Sequence, residues 1–184
     1  MYDNTLYFSA LAEQKSEILK KLELQEKNFL LATVHRDYNT DNLENLLNIL
    51  KAFDKITKEY NVELVFPVHP RTVKIIESLK DKPEVSAYLT NNLIHKIVPV
   101  SFLDMILLEK HASIILTDSG GVQKESYFFN KPCIILRSET EWIEILETGK
   151  AIITGASFDK ITRAFTELNN QPVTEFPKIF GEGN

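Results

Sequence analysis

The 184-residue chain has a single cysteine, Cys133, which excludes an internal disulfide and suits a reducing compartment, the cytoplasm. It has no apolar run near the roughly 20 residues of a membrane-spanning helix, so no membrane partner is expected. The opening segment, "MYDNTLYFSALAEQ", lacks the charged start and apolar block of a secretory signal. Long basic runs are missing too. Lys and Arg number 21 against 26 Asp and Glu, a net charge of −5, which counts against nucleic acid as a partner. The four histidines show no ligand spacing such as H-E-x-x-H, so no metal is expected. The three-glycine fingerprint of dinucleotide sites is absent, which counts against NAD or FAD. Ser119 has no G-x-S-x-G elbow around it, so it does not read as a hydrolase nucleophile. The acidic total does not exclude an anionic ligand, because a few local donors decide such binding.

What is present is an ordinary globular composition, 43% hydrophobic and 26% charged, long enough for one sizeable core. Short apolar segments alternate with amphipathic ones. Strands are expected at 28–35, 62–68, 95–100, 112–118, 132–137 and 150–155. Helices are expected at about 3–22, from a Thr40-Asp41 cap to about 60, and at 72–79, 102–109, 120–129, 141–147 and 158–168. The pattern predicts an α/β, Rossmann-like three-layer domain with a mostly parallel six-stranded sheet. The tail at 170–184 has two prolines and little periodicity.

Ligands of such sheets collect at the carboxyl ends of the strands. The polar residues of interest follow strand ends: His35 and Arg36 after the first, His69 and Arg71 after the second, Ser119-Gly120-Gly121 after the fourth, and Arg137 after the fifth. In "LTDSGGVQKE" a helix begins at serine and two glycines. A helix start offers unpaired backbone N–H groups and a partial positive charge, and glycines let a ligand come close. That suits a phosphate or diphosphate. Glu125, one to two turns further on, is placed to accept two hydroxyl hydrogen bonds from a ribose. A capped helix with a surface glutamate explains the same letters. Arg36 can pair with phosphate oxygens, and His35 can act as acid or base near neutral pH. His69 is held between two prolines in "PVHPRT". Trp142, close to the same edge, either stacks on a ligand or packs. His95, His111 and Cys133 read as structural.

The segments "TVHRDYNTDNLENL", "PVHPRT", "LTDSGGVQKES" and "NKPCIILRSETE", in that order, resemble the C-terminal half of the non-hydrolysing UDP-N-acetylglucosamine 2-epimerases. The resemblance runs from "MYDNTLYF" to "IFGEGN". It implies one half of a GT-B-like enzyme, an isomerase that holds a UDP-sugar between two Rossmann-like halves. Such an enzyme removes the C2 proton, eliminates UDP to a glycal, and re-adds it, with no external cofactor. By motif position, His35 matches the family's active-site histidine. Ser119, Gly120 and Gly121 match its UDP-phosphate site, and Glu125 its ribose-binding glutamate. His69 looks like a histidine near a second, activating UDP-sugar. On the same resemblance, residues 1–24 are a linker helix and the 170–184 tail leads to a last helix beyond the chain. The N-terminal domain, with its proton-transfer carboxylates, is the chain's missing partner, and a homodimer is expected. The 184 residues alone are then expected to bind UDP weakly and not to catalyse. Trp142 stands where many of these epimerases have arginine. "TEW-[IV]-E" looks more like the branch acting on UDP-2,3-diacetamido-2,3-dideoxyglucuronic acid. Two further alternatives are a GT-B glycosyltransferase donor-binding domain and a non-catalytic nucleotide-sugar binding module.

Overall fold

The computed structural model describes residues 2–24, 28–172 and 174–180. Residue 1 of the expected linker, and residues 173 and 181–184 of the tail, lie outside the described residues.

Six short strands form one sheet: β1 (Phe29–Thr33), β2 (Glu63–Pro67), β3 (Ile94–Ile97), β4 (Ile114–Thr117), β5 (Cys133–Ile135) and β6 (Ala151–Ile153). Every pairing is parallel, and the order is β3-β2-β1-β4-β5-β6. β1 and β4 are buried at every position, as a parallel sheet covered on both faces requires. Alternate residues serve opposite layers. Leu30 and Ala32 pack in one apolar cluster with Leu50, Phe53 and Phe165, while Phe29 and Leu31 pack in another with Leu107, Leu108 and Ala112. The first layer holds α4 (Leu43–Tyr60), α6 (Pro83–Thr90) and α10 (Phe158–Asn169); the second holds α1 (Tyr2–Lys15), α2 (Ile18–Lys21), α7 (Phe102–His111) and α8 (Gly120–Phe128). The chain order reverses between β1 and β4, so the crevice beyond their carboxyl ends is the topological switch point.

Four expectations need correction. The first helix breaks at Ser16–Glu17, where the Ser16 hydroxyl caps Ile18 N and donates to Asp104 of α7. The helix expected from a Thr40-Asp41 cap starts later. Asp37–Thr40 form a separate turn, α3, and Asn42 is the cap of α4, its Oδ1 accepting from Glu44 N and Asn45 N. The helix expected at 72–79 is α5 (Pro70–Ser78), with His69 as its cap and Pro70 in the first turn. Pro83–Thr90 is helical where no element was expected. Of the remaining segments, α9 (Ile143–Glu147) starts two residues after Glu141.

Candidate functional site

Asp118 closes β4 and is fully buried at the switch point. Its carboxylate gathers the turn after β1. Oδ1 and Oδ2 each accept from His35 N at 3.1 Å, and Oδ2 also accepts from Arg36 N and Asn39 Nδ2, both at 3.0 Å. Asn39 Nδ2 donates as well to the Leu136 carbonyl, which joins the ends of β1, β4 and β5. Below this, the Thr33 and Thr117 hydroxyls pair across β1 and β4. His35 Nδ1 stands 3.3 Å from Asp118 Oδ1, while half of the histidine side chain remains exposed. Sequence reasoning quoted Asp118 inside its motif and gave it no role. The signal available was an ionisable residue ending an otherwise apolar strand.

Directly after Asp118, Ser119 caps α8. Its N–H donates to Thr117 Oγ1, and its hydroxyl accepts from Val122 N at 3.5 Å. Gly120 and Gly121 form the first turn, whose N–H groups have no acceptor within the helix. The two glycines have different surroundings. A Cβ on Gly121 would meet only Ser119 Oγ, at 3.8 Å, so that side is open. A Cβ on Gly120 would lie 3.2 Å from Glu141 Oε2 and 3.9 Å from Arg137 Nη1. Arg137 and Glu141 make a two-pronged pair, both contacts at 3.0 Å, and the arginine holds the Glu141 carboxyl below its ordinary range. Trp142 donates its indole N–H to the Gly120 carbonyl at 2.8 Å, and its ring meets Phe180 edge-on. Its indole is therefore engaged with the glycine turn and the tail. Lys124 Nζ stands over the same ring, 4.1 Å from its centre, and 4.5 Å from the centre of the Phe180 ring.

Glu125 lies one turn further, half-buried, and burial raises its carboxyl above the usual value. Behind it, Glu109 of α7 is buried, with neither carboxyl oxygen hydrogen-bonded among the described residues. Burial, and then the Glu125 charge, push the Glu109 carboxyl well above the ordinary carboxyl range.

His69 and Arg71 lie at the end of β2. His69 Nδ1 accepts from Arg71 N, and the Arg71 guanidinium grips both oxygens of Asp41, at 2.6 and 2.7 Å, with Asp37 at 3.3 Å. Thus His35, Arg36 and the Ser119–Gly121 turn converge on the switch point, Arg137 and Trp142 border the glycine turn, and His69 and Arg71 form a neighbouring group with its own partners. His95 pairs with Glu63 and His111 with Glu13, both away from the crevice. Cys133 is fully buried and its thiol is pushed up to about 12. A hollow of about 520 Å³ beside β3 is lined mainly by apolar residues, among them Val68, Val73, Tyr88 and Val98, with Lys74 and Lys96. Among the described residues, no group of three or more His, Cys, Asp or Glu is placed to hold a metal, and no helix is long and apolar enough to cross a membrane.

A parallel sheet of order 3-2-1-4-5-6, with a helix start bearing free amides at its switch point, defines a Rossmann-like domain. The whole chain, residues 1–184, matches the model of the UDP-N-acetylglucosamine 2-epimerase family, and it belongs to that family. It is 45% identical, over its full length, to a UDP-N-acetylglucosamine 2-epimerase homolog of Methanococcus maripaludis, of which it covers 50%. It is 36% identical, again over its full length, to the UDP-2,3-diacetamido-2,3-dideoxy-D-glucuronate 2-epimerase of Pseudomonas aeruginosa, of which it covers 48%. The UDP-GlcNAc 2-epimerase of Methanocaldococcus jannaschii, solved in complex with UDP-GlcNAc and UDP, superposes with a TM-score of 0.85 at 35% identity; the match covers 99% of this chain and 49% of that one. The chain therefore spans about half the length of the curated relatives it matches, and its fold is one half of a GT-B-like arrangement.

Proposed function

We propose that this chain is the C-terminal, UDP-binding half of a UDP-sugar 2-epimerase that interconverts UDP-N-acetylglucosamine and UDP-N-acetylmannosamine. The reaction is C2 deprotonation, elimination of UDP to a glycal, and re-addition of UDP after reprotonation on the other face. The observation that carries the reading is the start of α8 at the switch point, with the side of Gly121 open and Glu125 one turn along. The diphosphate takes the amides of Gly120 and Gly121 and the Ser119 hydroxyl, with Arg36 supplying positive charge. Glu125 accepts the ribose hydroxyls, and His35 is the catalytic group of this half. Arg137 and Trp142 border the phosphate turn. His69, grouped apart with Arg71, serves a second nucleotide sugar, and Arg71 is a further contact residue beside it. No cofactor is needed, because UDP itself leaves and returns. The carboxylates that move the C2 proton come from an N-terminal partner domain, so this half alone binds UDP without turnover. Residues 1–24 link the halves, the tail leads to a last crossing helix, and the whole protein works in the cytoplasm as a homodimer.

A second reading is supported by the P. aeruginosa relative and by Trp142 following "TE": epimerisation of the diacetamido-glucuronate sugar. The test is to incubate the protein, joined to its N-terminal partner domain, with each UDP-sugar in D₂O. Deuterium uptake at C2 with one substrate only selects the branch. No exchange with either leaves the glycosyltransferase or binding-module alternatives. On the 184-residue chain itself, Gly121→Ala tests the phosphate turn. The added methyl meets only Ser119 Oγ, so the fold is retained, and UDP affinity is expected to fall about tenfold or more as the close approach is lost. Unchanged affinity would move the diphosphate elsewhere.

A further inference from the structure

We infer that Asp118 is a positioning residue: it holds His35 in the tautomer with hydrogen on Nδ1 and leaves Nε2 bare for the ligand. This rests on the reading of His35 as facing the UDP-sugar. Asp118 has no exposed surface, and the hydrogen-bond partners of its carboxylate among the described residues are all N–H groups: His35 N, Arg36 N and Asn39 Nδ2. Each is a donor to an ionised carboxylate, which accepts only. Among the described residues Oδ1 has one hydrogen-bond donor, His35 N, and the imidazole of that same residue stands beside it, with Nδ1 at 3.3 Å. An unprotonated Nδ1 would turn its lone pair onto carboxylate lone pairs. A protonated Nδ1 meets them favourably, so the carboxylate selects the tautomer.

The same carboxylate thus accepts from the backbone of His35 and faces its ring nitrogen. It is also covalently one residue before Ser119, so the histidine and the phosphate turn are referenced to a single rigid point at the end of β4. The chemical consequence is directional. Neutral His35 meets the ligand as an acceptor at Nε2: it takes a proton or a hydroxyl hydrogen bond there, and donates from Nε2 only after it has been protonated. When it takes a proton, the cationic ring lies against the Asp118 carboxylate.

The experiment is long-range ¹H–¹⁵N correlation of the histidine rings in the ¹⁵N-labelled 184-residue chain, about 1.5 pH units above the usual histidine pKa of about 6.5. His35 is expected to show a protonated Nδ1 and a bare Nε2. In Asp118→Asn, the amide keeps its oxygen toward the backbone N–H groups of residues 35 and 36 and turns its NH₂ to the ring. Nδ1 then accepts, and the hydrogen moves to Nε2. A wild-type ring with hydrogen on Nε2, or one averaged between tautomers, overturns the inference. So does an Asp118→Asn ring that keeps hydrogen on Nδ1. If Asp118→Asn does not fold, the wild-type spectrum decides alone. UDP titration of the same wild-type sample separates this from the functional reading. Amide shifts at Ser119–Gly121 with the wrong tautomer sink only the inference about Asp118. The expected tautomer without those shifts sinks the UDP site and leaves the tautomer standing.

Discussion

Two strand ends on the same edge of the sheet carry the same residue types and solve opposite problems. After β2, His69 and Arg71 are satisfied by their neighbours: the imidazole caps its own helix, and the guanidinium is gripped by Asp41. After β1, the backbones of His35 and Arg36 are held by the Asp118 carboxylate, the His35 imidazole lies beside that carboxylate with half of its side chain exposed, and Arg36 is exposed. The burial of the organising carboxylate differs accordingly. Asp118 is fully buried, whereas the Asp41 side chain is 47% exposed. A buried carboxylate ringed by N–H donors fixes backbone; an exposed one bonded to arginine neutralises a surface charge. Shared location on one edge therefore does not make one site.

The largest effect is expected where that contrast is sharpest. Asp118→Ala removes the acceptor shared by His35 N, Arg36 N and Asn39 Nδ2, and urea unfolding should show a loss of about 3 kcal/mol. Asp41→Ala, removing the corresponding carboxylate at the β2 end, should change stability by less than about 1 kcal/mol. Equal losses at the two positions would erase the distinction.

Next comes Glu125, where binding and stability should part. Glu125→Ala is expected to weaken UDP binding by about 1–3 kcal/mol through lost charge-assisted hydrogen bonds. Stability should not fall with it, because burial already opposes the Glu125 charge. Calorimetric titration with UDP and a melting curve on the same sample check both; parallel losses would make Glu125 a packing residue.

The strands were legible in the sequence because each is a short apolar run rich in Ile, Leu and Val, and all six were found, with ends shifted inward by one to three residues except at the start of β3, which begins one residue earlier than expected. The switch-point residues were legible for the same reason: a polar letter ending such a run must lie at the edge. What escaped depends on distant partners. The helix break at Ser16 is set by Asp104, 88 positions away. The importance of Asp118 comes from donors 79 to 83 positions earlier. The helix Pro83–Thr90 was missed because its first turn opens on proline and only Val85 and Tyr88 are fully buried, too few to show a stripe. At the start of α4, Thr40, Asp41 and Asn42 are all competent caps, and only the geometry selects Asn42.

A smaller, pH-dependent effect comes from Glu109, which stands behind the site. Its folded-state carboxyl is raised by burial and by Glu125, so the folded chain keeps a proton that the unfolded chain releases near 4.5. Stability from this group is complete below that pH and is lost as pH rises through the folded-state value. Glu109→Gln removes the titration. Above about pH 4.5 the variant should gain on its parent by up to about 1.4 kcal/mol per pH unit until Glu109 ionises, and no further beyond. Urea unfolding at stepped pH reads the difference, and parallel curves would show that Glu109 ionises normally.

The smallest effect returns to the β2 end. Arg71 is 57% exposed and bonded to two exposed carboxylates, so Arg71→Ala should cost less than about 1 kcal/mol of stability. Its effect on UDP binding to this chain should be indistinguishable from zero, because Nη2 is already bonded to Asp41 and Nη1 to Asp37. The matching change after β1, Arg36→Ala, should leave stability as untouched, since Asp118 holds only the Arg36 backbone, yet weaken UDP binding measurably. If the two arginine variants weaken UDP alike, the β1 and β2 ends act as one phosphate site, with the Asp41 pair opening when the ligand arrives.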